Sequence, residues 1–282
     1  MIIGHQKILN LLKKSIKNNR VSHAYLFTGP SHLGKKTVAL EFIKMLNGEV
    51  NIIEPESTTI TIKQIREVKH QMEMSSQAGN YKIALIDQAE KMNPQAGNCL
   101  LKTLEEPQGK AVLILISSKP KYILPTIISR CQLINFPPVR EEEIKKTIKN
   151  KKILCLANGR PGLALNYLNN PDLLEEKNKI ISKLEEILKG GICERYEYAQ
   201  DLAQDNIKTQ DILEDWMLWF RDLILLKTGN SDLVINNINN NYNNYSLIKL
   251  NTIIKAIKKT SSLISNPSFN ARLALEALML EL

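Results

Sequence analysis

The sequence predicts an α/β domain built on a parallel sheet with helices on both faces, followed by a wholly helical remainder. Three observations carry this. Short apolar runs alternate with amphipathic helices up to Phe136, one run ends in a Gly-rich turn that opens a helix, and no strand pattern recurs after Pro137-Pro138. At 282 residues the chain has room for about two domains and a substantial core.

Composition narrows the class. With 43% hydrophobic and 24% charged residues the chain reads as an ordinary globular protein. Its longest apolar runs, such as Ala111 to Ile116, fall far short of the roughly 18 residues a membrane span needs, so no transmembrane segment is expected. The first acidic residue is Glu41, but Ile8, Leu12 and Ile16 share one helical face, which favours a folded helix over a targeting peptide and implies a cytoplasmic address. A net charge of +9 suits a protein working beside an acidic polymer. The surplus is spread along a chain rich in Lys, Ile and Asn, so direct DNA contact and plain composition both stay open. Cys99, Cys131, Cys155 and Cys193 lie far apart with no C-x-x-C pair, which predicts reduced, mostly buried thiols rather than a disulfide or zinc framework.

Residues 5 to 19 read as an amphipathic helix and Tyr25 to Thr28 as a buried strand. The run HAYLFTGPSHLGKKT, His23 to Thr37, then places Gly29, Gly34 and Lys35 at the spacing of a phosphate loop. Glycine there permits the tight turn and close backbone approach, and the lysine reaches the β and γ phosphates. An active loop continues with a Ser or Thr whose hydroxyl holds magnesium. Here that position is Lys36, and Thr37 stands one residue on, about 100° around the helix, so it does not replace the missing ligand.

Val38 to Leu46 continue this helix to an Asn47-Gly48 stop, Asn51 to Glu54 is a strand, and Ile62 to Met74 is a helix with Ile62, Ile65, Val68 and Met72 on one face. The strand YKIALID ends in Asp87, the type of residue that supports magnesium through its water shell. Active ATPases follow that Asp with a Glu that polarises water; here it is Gln88, whose amide cannot accept a proton. Asn93 caps and Pro94 opens a helix running to Pro107. Ala111 to Ser117 form a fourth strand with Ser118 at its end, and Cys131 to Phe136 a fifth, after a short helix in ILPTIISR. Beyond Pro138 the expectation is a charged helix over 141–150 and further helices over 159–168, 171–188, 198–203, 212–227, 247–264 and 272–282. Gly190-Gly191 punctuates them, and 236–244 is a polar low-complexity loop.

Taken in series, GHQKILNLL, the phosphate loop, IALIDQAEKM, NCLLKTLEEP, ILPTIISRCQLINF, NGRPGLALNYL, WFRDLILLKTG and NARLALEALMLEL resemble the AAA+ clamp-loader subunits of bacterial DNA polymerase III, and within them the delta-prime branch. The resemblance implies an AAA+ αβα parallel-sheet, nucleotide-binding-like domain over 1–138, a small helical lid over 139–170 and an all-helical collar for oligomerisation over 171–282. It implies a ring with gamma/tau and delta subunits, the sliding clamp met indirectly, and primed DNA within the assembled complex. Nucleotidyltransferase activity would belong to the DNA polymerase III holoenzyme, through membership of the complex. In such rings ATP sits at a subunit boundary and the neighbour supplies an arginine; the matching residue is Arg130, in Ser129-Arg130-Cys131.

Departures from an active motor point one way. Lys36 and Gln88 are two, and the lid arginine that senses phosphate in motors falls at Gly162, with Arg160 nearby. The resemblance therefore implies a non-hydrolysing stator acting in trans, with Gly29, Gly34, Lys35, Lys36, Thr37, Asp87 and Gln88 as a degenerate nucleotide site. No cofactor is required, and ATP binding stays open: Lys35 either meets a phosphate or plugs an empty loop, and Asp87 is either a site residue or a strand-end carboxylate held by backbone N–H groups. The cysteine-rich module that many members insert after the loop helix has no counterpart here, which implies no zinc. Ser117 and Ser118 read as polar strand ends, His5 and His23 as packing groups, and Trp216 and Trp219 as helical core. The competing expectations are an ATP-hydrolysing motor of gamma/tau or branch-migration type, which Lys35 and Asp87 favour, and a DNA-binding protein using the positive charge.

Overall fold

A computed structural model describes residues 2–56, 58–73, 81–106, 109–236, 238, 245–264 and 269–282. The chain divides into two compact units, Met1–Asn166 and Tyr167–Leu282.

The first unit is organised by one sheet. Strands β1 (Ala24–Thr28), β2 (Glu49–Ile53), β3 (Lys82–Ile86), β4 (Ala111–Ser117) and β5 (Gln132–Asn135) are all parallel, in the order β2-β3-β4-β1-β5. Every residue of β1 and β4 is buried, as continuous apolar runs in a sheet covered on both faces should be. Alternation along each strand sorts the side chains into two cores. Tyr25, Phe27, Leu85 and Ile114 pack on the helices α1 (Gln6–Lys17) and α2 (Lys35–Leu46) through Leu12, Val38 and Phe42. Leu26, Ala84, Ile86, Leu113 and Leu115 pack on α3 (Ile62–Glu73) and α4 (Pro94–Glu105) through Ile65, Val68 and Leu100. Each large apolar side chain buried this way contributes roughly 1.5–3 kcal/mol.

Local chemistry sets the ends. α2 stops at Asn47, in the left-handed region at φ 50°, and the Asn93 side chain accepts from the Ala96 N–H at 2.7 Å to cap α4. The second strand begins at Glu49, ahead of the expected Asn51, because its edge pairs Glu49 with Lys82.

After α5 (Pro125–Ile128) and β5 come α6 (Glu141–Lys145), α7 (Lys151–Ala157) and α8 (Pro161–Asn169). The expected helix over 141–150 is thus too long, and α7 was missed. Asn150 explains the new helix, since its side-chain oxygen accepts from Lys152 N and Ile153 N at 3.0 and 3.3 Å and caps the start of α7.

The second unit consists of α9 (Asp172–Lys189), α10 (Ile192–Leu202), α11 (Asn206–Lys227), α12 (Leu247–Ile264) and α13 (Ala271–Glu281). Trp216, Trp219 and Phe220 are fully buried in its core beside Leu184, Ile253, Ile257 and Leu275. α10 and α11 start earlier than apolar periodicity predicts because polar groups nucleate them. The Glu194 carboxylate accepts from Gly191 N at 3.1 Å, and the Asp205 carboxylate accepts from Lys208 N at 3.0 Å. Most of the 236–244 loop, and the predicted helix ends at Met74 and Pro107, lie outside the described residues.

The cysteines are unpaired, with Cys99, Cys131 and Cys155 half-buried and Cys193 exposed, so they are more open than expected. Burial nevertheless pushes the Cys131 thiol up to about 12, which keeps it protonated and unreactive. Among the described residues no helix is long and apolar enough to cross a membrane.

Candidate functional site

Parallel strands feeding helices leave a crevice at their carboxyl ends where the strand order reverses. In this sheet β1 lies between β4 and β5 while the next strand, β2, is at the far edge, and the crevice opens beyond β1, β3 and β4. A cleft of about 480 Å³ occupies it, bordered among others by Gly34, Lys35, Lys36, Asp87, Gln88 and Ser118.

Gly29 follows β1 at φ 140°, and a Cβ there would stand 2.4 Å from the Phe136 carbonyl oxygen, so only glycine lets the turn pass so close to the end of β5. The turn returns to Gly34, and Lys35 opens α2. Lys35 is only 6% exposed, and its ammonium donates to the carbonyls of Gly29 and Pro30, both at 2.6 Å. Burial holds its pKa below the ordinary lysine value, against the opposing charges of Glu90 and Asp87. His5 braces the loop from behind. Its Nε2 lies 3.0 Å from the Leu33 carbonyl, its ring packs edge-on against Phe136, and burial lowers its pKa.

Lys36, also at the cleft's border, reaches toward the ends of β2 and β3. Its ammonium bonds the Glu54 carboxylate just beyond β2 and lies 3.5 Å from Asp87 Oδ2, just beyond β3. The hydrogen bond to Glu54 is the main reason its pKa is raised, and both carboxylates add to it. Asp87 Oδ1 accepts from Gln88 N at 3.0 Å, and Gln88 is exposed in the left-handed region at φ 55°. Thr37 is exposed, and neither it nor Gly29 is among the residues bordering the cleft.

Ser118 donates from both its N–H (3.1 Å) and its hydroxyl (2.6 Å) to Glu90 Oε1, while Glu90 Oε2 is buried with no hydrogen-bond partner among the described residues. Ser117 is buried and its hydroxyl oxygen accepts from Lys119 N at 3.1 Å. Gly162, at the start of α8, also borders the cleft. Its N–H donates to the His32 carbonyl at 2.8 Å, and a Cβ there would meet the same oxygen at 2.8 Å. A side chain of any length at this position would push the loop and α8 apart.

Arg130 is not among the residues bordering the cleft. It follows α5 and is 37% exposed; Nη2 pairs with Glu105 Oε1 at 2.8 Å, and Nη1 donates to the Thr126 carbonyl at 3.0 Å. Sequence reasoning singled out neither Glu54, Glu90 nor Glu105. A carboxylate one step past a strand end, as at Glu54, and acidic residues on the last turn of a helix, as at Glu105, were the available signals.

The sequence profile described as "DNA polymerase III, delta subunit" matches residues 4–50 and 44–140. The chain is 27% identical over 263 residues to DNA polymerase III subunit delta' of Bacillus subtilis, covering 81% of this chain and 80% of that protein. It is 29% identical over 232 residues to the subunit delta' of Pseudomonas aeruginosa, covering 69% of each. Among solved structures, a DNA polymerase III gamma subunit-related protein from Thermotoga maritima superposes with a TM-score of 0.53 at 20% identity, covering 96% of this chain and 97% of that one, which shows a shared fold.

Proposed function

This chain belongs to the delta-prime family of clamp-loader AAA+ proteins of DNA polymerase III, and from that premise we propose that it is a stator, lending an arginine to a neighbour's ATP without hydrolysing its own. The observation that carries this reading is the place of Arg130: outside the chain's own cleft and partly exposed, where a neighbouring subunit can reach it. A guanidinium brought in trans to a transferring γ-phosphate raises the rate by about 10³ to 10⁵. Two features of the cleft support the second half. The residue after the loop lysine is Lys36, held by Glu54 beside Asp87, and the residue after Asp87 is an amide. The position after the loop lysine thus lacks the hydroxyl that holds magnesium, and the position after Asp87 lacks the carboxylate that polarises water.

In this reading the gamma/tau and delta subunits are the partners, residues 1–138, 139–170 and 171–282 serve as nucleotide-binding-like domain, lid and collar, and the sliding clamp and primed DNA are met through the assembled ring in the cytoplasm. The chain needs neither zinc nor another cofactor. The test is ATP turnover by the ring assembled with wild-type or Arg130→Ala protein. Loss of about 10³ in rate at the affected site, with assembly intact, is expected; unchanged turnover would remove the trans role. Rapid turnover by the isolated chain would favour a motor instead.

A further inference from the structure

A nucleotide loop of this class holds magnesium with a Ser or Thr hydroxyl after the loop lysine and with the strand-end Asp. The residues present do not fit the metal. The hydroxyl position is Lys36, and the Asp87 carboxylate that would organise the metal's water shell has Oδ2 3.5 Å from an ammonium. A divalent cation placed against Asp87 would face that ammonium across a few ångströms, and Glu54, bonded to Lys36, holds the ammonium there.

We propose that the cleft takes a nucleoside polyphosphate without any divalent cation, with the Lys36 ammonium as the tethered counter-charge. Lys35 supplies the second cation. Its ammonium donates to the carbonyls of Gly29 and Pro30, and a phosphate oxygen is a charged acceptor that strengthens such a hydrogen bond. Magnesium belongs to the competing side of this equilibrium: it withdraws free nucleotide into a complex whose metal the cleft repels. The cleft of about 480 Å³ lies at the start of α2, whose N-cap Gly34 offers no side-chain acceptor to the first-turn N–H groups, and such a helix start favours an anion. The inference concerns this chain's own loop and stands whether or not Arg130 acts in trans.

The experiment is calorimetric titration of the isolated full chain with ADP and with ATP, in excess EDTA and in excess magnesium. Binding in EDTA at least as tight as in magnesium is expected. Lys36→Thr restores a hydroxyl and removes the ammonium, and should create a site that magnesium tightens by about tenfold or more. As a second variant, Asp87→Asn leaves metal-free binding equal or tighter, because it removes only a negative charge. Three results would overturn the proposal: magnesium tightening wild-type binding about tenfold, no binding of either nucleotide in either condition, or Asp87→Asn abolishing metal-free binding.

Discussion

Arg130 and Glu105 form an ion pair, Nη2 to Oε1 at 2.8 Å, joining the turn two residues past α5 to the last turn of α4. Both side chains are substantially exposed, so the pair contributes little to stability, roughly 0.2–1 kcal/mol. Together with the Thr126 carbonyl, which accepts from the second guanidinium nitrogen, it sets where the guanidinium lies. Glu105→Gln should therefore shift the denaturation midpoint only slightly. In the assembled ring it should retain turnover, where Arg130→Ala loses it. Equal losses from both variants would mean that the pair, not the arginine, matters.

Gly162→Ala should destabilise the first unit by about 1–3 kcal/mol, the usual cost of forcing a methyl into a packed contact. The atom it meets is the backbone carbonyl of His32, which cannot rotate away as the end of a flexible side chain would. Urea denaturation measures the loss, and wild-type stability in the variant would show that the approach of α8 to the loop is not tight. Gly162→Arg, which brings a far longer side chain to the same contact, should cost more.

In the second unit Lys177 Nζ lies 2.5 Å from Asp215 Oδ1 and 3.3 Å from the Tyr167 hydroxyl, nearly buried. Burial, the largest influence, lowers its pKa, but the charge and hydrogen bond of Asp215, with Tyr167, raise it further and the net shift is upward. A lysine with a raised folded pKa adds stability that is full below its unfolded value of about 10.4 and fades as pH rises through the folded one. Lys177→Met should cost about 3–5 kcal/mol at neutral pH by leaving the Asp215 carboxylate without its ammonium. It should also flatten the alkaline limb of the stability curve, which denaturation above and below that pH would show.

Asp222 is fully buried, and its Oδ2 accepts from Ile235 N at 3.0 Å and from Asn236 N and Nδ2 at 2.8 and 2.9 Å. Burial nonetheless raises its pKa, with those hydrogen bonds and Arg221 opposing. The folded state thus holds the proton more tightly than the unfolded chain, so this group's contribution falls as pH rises from about 4 through the folded value. Asp222→Asn keeps a carbonyl acceptor and removes the ionisation. Its stability relative to wild type should be higher at pH 7 than at pH 4; the opposite trend would show that the charged form is the stabilised one.

The sheet, its helices and the loop were legible in the sequence because their signals are local. Apolar runs such as Ala111 to Ile116, the Asn93-Pro94 cap and the Gly29, Gly34, Lys35 spacing each report a conformation that nearby residues decide. The breaks misplaced at Asn150 and Asp205 are cases where one side-chain oxygen outweighed periodicity.

The sequence by itself determined that a lysine stands where a hydroxyl should hold metal, that an amide follows Asp87, and that an arginine precedes the fifth strand. Only the tertiary structure decided what those residues meet: Lys36 finds Glu54 and Asp87, Arg130 finds Glu105, and Gly162 closes on His32. The reason is geometric. Periodicity fixes which face a side chain occupies, but a parallel sheet gathers strand ends far apart in the chain at one edge, and the partner waiting there is set by strand order.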